Sequence, residues 1–172
     1  NTGLVYVFTG DGKGKTSAAF WTGVRAAVRG MKVAAIQWYK ESRWPTAEQE
    51  IGKRLKNFKV YLMGEGFYKL PTDHATQADH KRAAQQALDL AGKLVNRVEV
   101  LILDEVNNAV GDGVIDLIDL IDLISKRGKT HVILTGRNAH KRIIEAADLV
   151  TEMKNIKHPF DQGKKAVKGL DY

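Results

Sequence analysis

The chain has no cysteine among its 172 residues. Disulfides and thiolate metal sites are thereby excluded, and nothing in the composition points to secretion. No apolar stretch is long enough to span a bilayer and no signal-peptide pattern opens the chain, so a cytoplasmic location is expected. The first residue is Asn1 rather than Met, which suggests that a segment preceded it. Also missing are a linker, a second region of distinct composition, and an interleaved aromatic and basic run of the kind that stacks single-stranded nucleic acid. One domain over residues 1–172 is expected, large enough for a real core.

Positive charge is in excess, with a formal net charge of +7. That balance suits anionic ligands such as ATP or nucleic acid. The basic residues are spread along the chain, with the densest stretches at 52–59 and 154–168. A solvated basic surface is a plainer account of them than a nucleic-acid groove.

Apolar runs alternate with helical patterns. Strands are expected at Leu4–Phe8, Lys32–Tyr39, Phe58–Leu62, Val98–Leu103, Thr130–Leu134 and 148–153. Helices are expected at 15–29, closed by Gly30, and from Thr46 to about Leu55, where Thr46 and Gln49 have capping-box spacing. A long helix from His74 to Asn96 follows, its apolar face carried by Ala84, Ala87, Leu88, Ala91, Leu94 and Val95. Further helices are expected at Val114–Ile124 and 139–147, and the tail from Lys154 has no clear element. Asp116, Asp119 and Asp122, three residues apart, cover about 120° of a helix and read as a solvated acidic face. The pattern predicts an α/β fold, an open and mostly parallel sheet with helices on both faces, of the phosphate-loop NTPase-like (RecA-like) class.

Between the first strand and the first helix lies T-G-D-G-K-G-K-T-S, Thr9 to Ser17. Strand, glycine loop and helix form the context of a phosphate-binding loop. Gly10, Gly12 and Gly14 let the backbone approach an anion, with successive N–H groups turned into one concavity at the positive end of the helix. Lys15 adds charge for the outer phosphates, and Thr16 a hydroxyl where Mg²⁺ would sit. The strict pattern G-x-x-x-x-G-K-[ST] is not met, because its first position is Thr9 and the nearest glycine is one residue late. A cradle of unusual shape is the expectation; a flexible basic loop is the alternative.

Asp104-Glu105 ends a buried strand at the sheet edge where open α/β sheets bind ligands. Asp104 with Thr16 matches the usual Mg²⁺ pair of phosphate-loop proteins, and Glu105 suits either a metal ligand or a general base. An acidic pair facing solvent is the competing account. Arg137 follows strand five at the same edge, placed for a phosphate contact or as an ordinary surface arginine. Phe67, Tyr68 and Leu70 make the stretch after strand three too apolar for a solvated loop; they cap the core or line a site for a large flat ligand. His140 and His158 have no partner at ligand spacing and read as structural.

These stretches together resemble the phosphate-loop type of ATP:corrinoid adenosyltransferase. G-D-G-K-G-K-T-S-A-A-F is similar to that family's G-N-G-K-G-K-T-T-A-A-F, including the missing first glycine. Ile36-Gln37-Trp38-Tyr39-Lys40, Met63-Gly64-x-Gly66-Phe67, L-D-E-x-N at 103–107, L-T-G-R at 134–137 and the tail K-H-P-F-D-Q-G-K-K-A-V-K-G-L-D-Y also match, so the likeness spans the chain. The resemblance implies that Co(I) of a reduced corrinoid attacks the ribose 5′ carbon of ATP and intact triphosphate leaves. It further implies that Gly10, Asp11, Gly12, Lys13, Gly14, Lys15, Thr16 and Ser17 surround the nucleotide, with Arg25 and Arg137 touching it. Thr16, Asp104 and Glu105 would hold Mg²⁺ (or Mn²⁺). Lys15 and Glu105 would act in catalysis, and Phe67 would sit under the corrin ring, excluding the lower axial ligand. A homodimer and a flavoprotein reductase are the implied partners.

This chain departs from the family pattern at Lys69, where a Trp is common, and at Trp21, where Gly is usual. It also opens directly at strand one, where many members carry an N-terminal arm that covers the partner's site. Two rival readings are a phosphate-loop ATPase or kinase, with Glu105 as base, and an ATP-gated nucleic-acid-binding module. Product identity separates the first rival, and salt-sensitive nucleic-acid binding the second.

Overall fold

The computed structural model describes residues 1–41, 46–66, 68, 69, 71 and 73–171. In its central strand Val100, Ile102 and their neighbours Leu101 and Leu103 are all buried, and they alternate between two cores. Leu101 and Leu103 face one layer of helices; Val100 and Ile102 face the other. Successive strand side chains point to opposite faces, so a strand covered on both sides must be apolar throughout.

Six strands among the described residues form one sheet: β1 Val5–Thr9, β2 Val33–Gln37, β3 Phe58–Leu62, β4 Val100–Asp104, β5 His131–Thr135 and β6 Leu149–Glu152. Their order is β3-β2-β4-β5-β1-β6, and every neighbouring pair is parallel. Helices α1 (Lys15–Val28) and α2 (Ala47–Arg54) cover one face, through Ala19, Phe20, Ala27 and Ile51. Helices α3 (Gln77–Leu94), α4 (Val106–Gly111), α5 (Leu117–Ser125) and α6 (Lys141–Ala146) cover the other. No helix among the described residues is long and apolar enough to cross a membrane.

The predicted fold class holds, and the departures are local. β3 spans Phe58–Leu62 as expected, and the other strands start one or two residues later than their apolar runs. Val98, for example, is a lead-in whose carbonyl accepts from the Thr130 hydroxyl at 2.7 Å. β2 stops at Gln37, because Tyr39 turns the chain with a φ of 62°. α3 begins at Gln77 rather than His74: Thr76 and Asp79 close a reciprocal capping box that fixes the start. The box expected at Thr46 and Gln49 does not form; α2 is present, but the Thr46 hydroxyl and the Gln49 amide nitrogen have no partner among the described residues. α5 begins at Leu117, where Asp116 caps it by accepting from the Ile118 N–H at 2.7 Å. Asp116, Asp119 and Asp122 are exposed, as a solvated face should be. α4 was not expected from the sequence at all. His140 and His158 each cap a short helical turn, the latter at 159–162 in the tail.

Candidate active site

In a parallel sheet flanked by antiparallel helices, the strand C-termini and helix N-termini share one edge, and the candidate residues gather there. Residues 10–14 join β1 to α1. Gly10 has a φ of 97°, and a Cβ there would lie 2.4 Å from the Met153 carbonyl oxygen. Gly14 has a φ of 120°. The loop is pinned from beneath: the Gly12 N–H donates to the Met153 carbonyl at 2.7 Å, and the Met153 N–H to the Thr9 carbonyl at 2.8 Å. The Gly12 amide is therefore turned toward the end of β6. The expected run of N–H groups in one concavity is broken there, and the first turn of α1, with no side-chain cap, supplies the free donors.

Lys15 Nζ donates to the Gly12 carbonyl at 2.8 Å. Burial, and then the charge of Arg137, lower its pKa from the ordinary lysine value. Lys13 is engaged elsewhere, in an ion pair with Asp171 of the tail at 2.7 Å. Asp11 and Ser17 are exposed beside the loop. Arg25 lies in the last turn of α1, ten residues beyond Lys15 and so about 15 Å along the helix axis. The structure does not bring it to the others.

Asp104 is the meeting point. It is fully buried, and three donors from three elements reach its carboxylate: Thr16 Oγ1 of α1 at 2.9 Å, Gln37 Nε2 of β2 at 2.9 Å and Thr135 Oγ1 of β5 at 2.7 Å. A carboxylate so far from water is tolerable only with such partners. Glu105, next along, has a left-handed backbone with a φ of 64°, an unusual state for a residue that is not glycine. Its N–H donates to Thr135 Oγ1 at 2.8 Å, so one hydroxyl fixes both acidic residues. Burial pushes the Glu105 carboxyl up to about 7, against the pull of Lys40 at 3.9 Å and with a push from Asp104. The acidic pair is thus not a solvated strand end. Arg137 is exposed, but its charge acts on both Lys15 and Glu105, and its N–H is held by Asn108 Oδ1 at 2.9 Å.

The loop after β3 crosses the turn after β2. A Cβ on Gly64 would lie 2.5 Å from the Tyr39 backbone. The ring of Tyr68 stacks on Tyr39 with centroids 6.4 Å apart, and Lys69 Nζ lies 4.7 Å from the Tyr68 centroid. Tyr39 in turn donates to Asp112 Oδ2 at 2.8 Å, and burial raises its pKa. Phe67 and Leu70 lie outside the described residues.

Several residues here were not singled out from composition or spacing. Gln37 had a signal, a polar residue closing an apolar strand, but only its place in a family-like stretch drew notice. Asn107 is buried at 1 % exposure with both side-chain amide atoms unpartnered among the described residues, and nothing in D-E-V-N-N announces that. A recess of about 490 Å³ lies at the opposite sheet edge between Lys32, Arg97 and Lys129. The C-terminal ends of α3 and α5 point there, and cations are what helix C-termini attract, so its charge needs no ligand.

A model of the family described as ATP:corrinoid adenosyltransferase BtuR/CobO/CobP matches residues 1–172. The chain is 39% identical to a corrinoid adenosyltransferase of Sinorhizobium sp., over 99% of this chain and 80% of that protein. It is 38% identical to a corrinoid adenosyltransferase of Pseudomonas aeruginosa, over 99% of this chain and 84% of that one. A corrinoid adenosyltransferase of Escherichia coli K12 is 34% identical, over 99% and 86%.

Proposed function

Because the chain belongs to the ATP:corrinoid adenosyltransferase family, we propose that this sheet edge is where it transfers the 5′-deoxyadenosyl group of ATP to the Co(I) centre of a reduced corrinoid. The reaction serves adenosylcobalamin synthesis or corrinoid salvage, with residues 1–172 acting as one nucleotide-binding unit. The observation that carries the placement is the convergence of Thr16, Gln37 and Thr135 on buried Asp104, beside Lys15 and Glu105.

In the transfer, the cobalt electron pair forms a bond to C5′ and the C5′–O bond breaks. Its electrons remain on the triphosphate oxygen, and no proton has to move. Lys15 exchanges the Gly12 carbonyl for a phosphate oxygen and meets the charge that grows on the leaving group. The free N–H groups of the first turn of α1 do the same from the backbone. Arg137 adds a charge from the end of β5. Thr135 holds Asp104 and Glu105 in register, and Phe67 takes the lower face of the corrin ring.

The acidic residues fit a divalent cation. No group of three or more His, Asp or Glu side chains suited to a metal occurs among the described residues. A cation at Thr16 and Asp104, with Glu105 adjacent, would take its other ligands from phosphate and water, the habit of Mg²⁺. When bound, Mg²⁺ (or Mn²⁺) neutralises charge on the triphosphate oxygens. A flavoprotein reductase as electron donor, a homodimer and a cytoplasmic location complete the reading. Anaerobic incubation with MgATP, cobalamin and a strong reductant tests it, read by corrin absorbance and ³¹P resonance. Adenosylated corrinoid with stoichiometric triphosphate is expected; ADP and phosphate formed without corrinoid would identify an ATPase instead.

A further inference from the structure

The buried face of α3 is a small-residue stripe with one polar member. His80, Ala84, Ala87 and Ala91 follow one another at i, i+4, i+7 and i+11, and all are buried. His80 is only 3 % exposed, in the first turn, at the end nearest the site. An imidazole so placed costs free energy unless it is hydrogen-bonded. The helix does not need it, because Thr76 and Asp79 already close the N-terminus.

Its bond goes to the loop after β3. His80 Nε2 lies 2.8 Å from Asp73 Oδ1, so this nitrogen carries the hydrogen toward the carboxylate. Asp73 also accepts from the Lys69 N–H at 2.8 Å and the Ala75 N–H at 3.1 Å. Three donors, one from α3 and two from the loop, thus meet on one carboxylate. The hydrogen bond from His80, foremost among them, draws the Asp73 pKa down to about 2. Tyr68 packs its ring edge-on against His80 at 4.9 Å while stacking on Tyr39.

We propose that His80 and Asp73 form a latch that fixes Tyr68, Lys69 and Asp73 of the loop after β3 against α3, in the arrangement that receives the corrinoid, which makes His80 a positioning residue. The proposal rests on the reading that the corrinoid meets this loop. The latch joins the loop to α3 without touching the triphosphate side, where Lys15, Thr16 and Asp104 have their own partners. Breaking it should therefore impair one substrate and spare the other.

The test is steady-state adenosylation with chemically reduced cobalamin, varying each substrate in turn. In His80→Ala the corrinoid KM should rise about tenfold, as expected for loss of a hydrogen bond to a charged group. The ATP KM should stay within about twofold. Asp73→Ala, a loop substitution that leaves the α3 packing alone, should show the same split. His80→Gln, whose amide nitrogen can still reach Asp73, should recover most of the loss. A parallel rise in both KM values, or an unchanged corrinoid KM in Asp73→Ala, overturns the latch. Failure of the unsubstituted protein to make adenosylcobalamin overturns the functional reading and the purpose of the latch with it. Product from that protein with no KM split in the variants overturns the latch alone.

Discussion

Two loops at one sheet edge are held by different means. Residues 10–14 are held through the backbone, by the Gly12 N–H on the Met153 carbonyl and by glycines whose φ values other residues avoid. The described part of the loop after β3 is tied by the backbone only at its start, Met63 on Gln37 and Gly64 on Lys40; beyond that it is held through side chains, by Asp73 on His80 and Tyr68 on Tyr39. A backbone-held loop rejects added side chains but is indifferent to many exchanges nearby. A loop held by side chains can be retuned one residue at a time. On the assignment proposed above, the first loop meets a triphosphate, the same in every ATP molecule, and the second a corrinoid, which varies; the two modes of support would suit that difference.

Lys15→Ala attacks the first loop at its one inward charge and should have the largest effect. A fall in kcat of about 10²- to 10³-fold is expected, by analogy with removing a donor from a developing anion. Calorimetry with MgATP should show weakened binding at the same time, and unchanged affinity would remove Lys15 from the site. Gly10→Ala probes the backbone itself, since its φ is 97° and the added methyl would meet the Met153 carbonyl at 2.4 Å. A loss of about 2 kcal/mol in unfolding free energy is expected, with ATP binding impaired. Denaturant titration measures it, and a wild-type midpoint would mean that the loop is less fixed than its glycines indicate.

Glu105 is tied toward the second loop through Lys40, whose ammonium lies 3.9 Å from its carboxylate and whose carbonyl accepts from the Gly64 N–H at 3.0 Å. Its carboxyl is raised from 4.5 to about 7, so the folded protein keeps its proton where the unfolded chain has lost it. The penalty is absent below pH 4.5, grows as the pH rises to 7, and is complete above. In metal-free buffer Glu105→Gln should therefore be more stable than its parent at pH 8, by about 1–3 kcal/mol, and equal to it at pH 4. Its Mg²⁺-dependent activity should fall. Equal offsets in thermal melting at both pH values would show that the carboxyl is not perturbed. The smallest effect should come from Tyr39→Phe, which deletes the hydroxyl bonded to Asp112 but keeps the ring under Tyr68. A loss of about 1 kcal/mol is expected, with corrinoid kinetics close to normal; a large rise in corrinoid KM would show that the hydroxyl, and not the ring, supports the loop.

The strands were legible because both faces of the sheet are covered, and burial on both faces leaves long apolar runs such as Val100–Leu103. Lys15, Thr16, Asp104 and Glu105 were legible because topology alone brings strand ends and the first helix to one edge. α4 was not, since it is six residues long and is opened by the left-handed Glu105 instead of a recognisable cap. The direction of the Gly12 amide could not be read either, because its partner, Met153, just after β6, is far away along the chain. His80 was hidden by its surroundings: a single histidine on an alanine face reads as core until its ring nitrogen is traced to Asp73.

The place of β1 in the sheet has a consequence for the making of the protein. Its neighbours are β5 and β6, with Val5 opposite Val132 and Tyr6 opposite Leu149. Among the six strands, β1 is synthesised first, yet its partners β5 and β6 are the last two. Until residues beyond 131 have left the ribosome, β1 has no neighbour, and the β2–β3–β4 half of the sheet can form without it. The floor under Gly12 waits longer still, for Met153. Nucleotide should therefore not rescue a chain cut before Met153, since the floor of its cradle is missing.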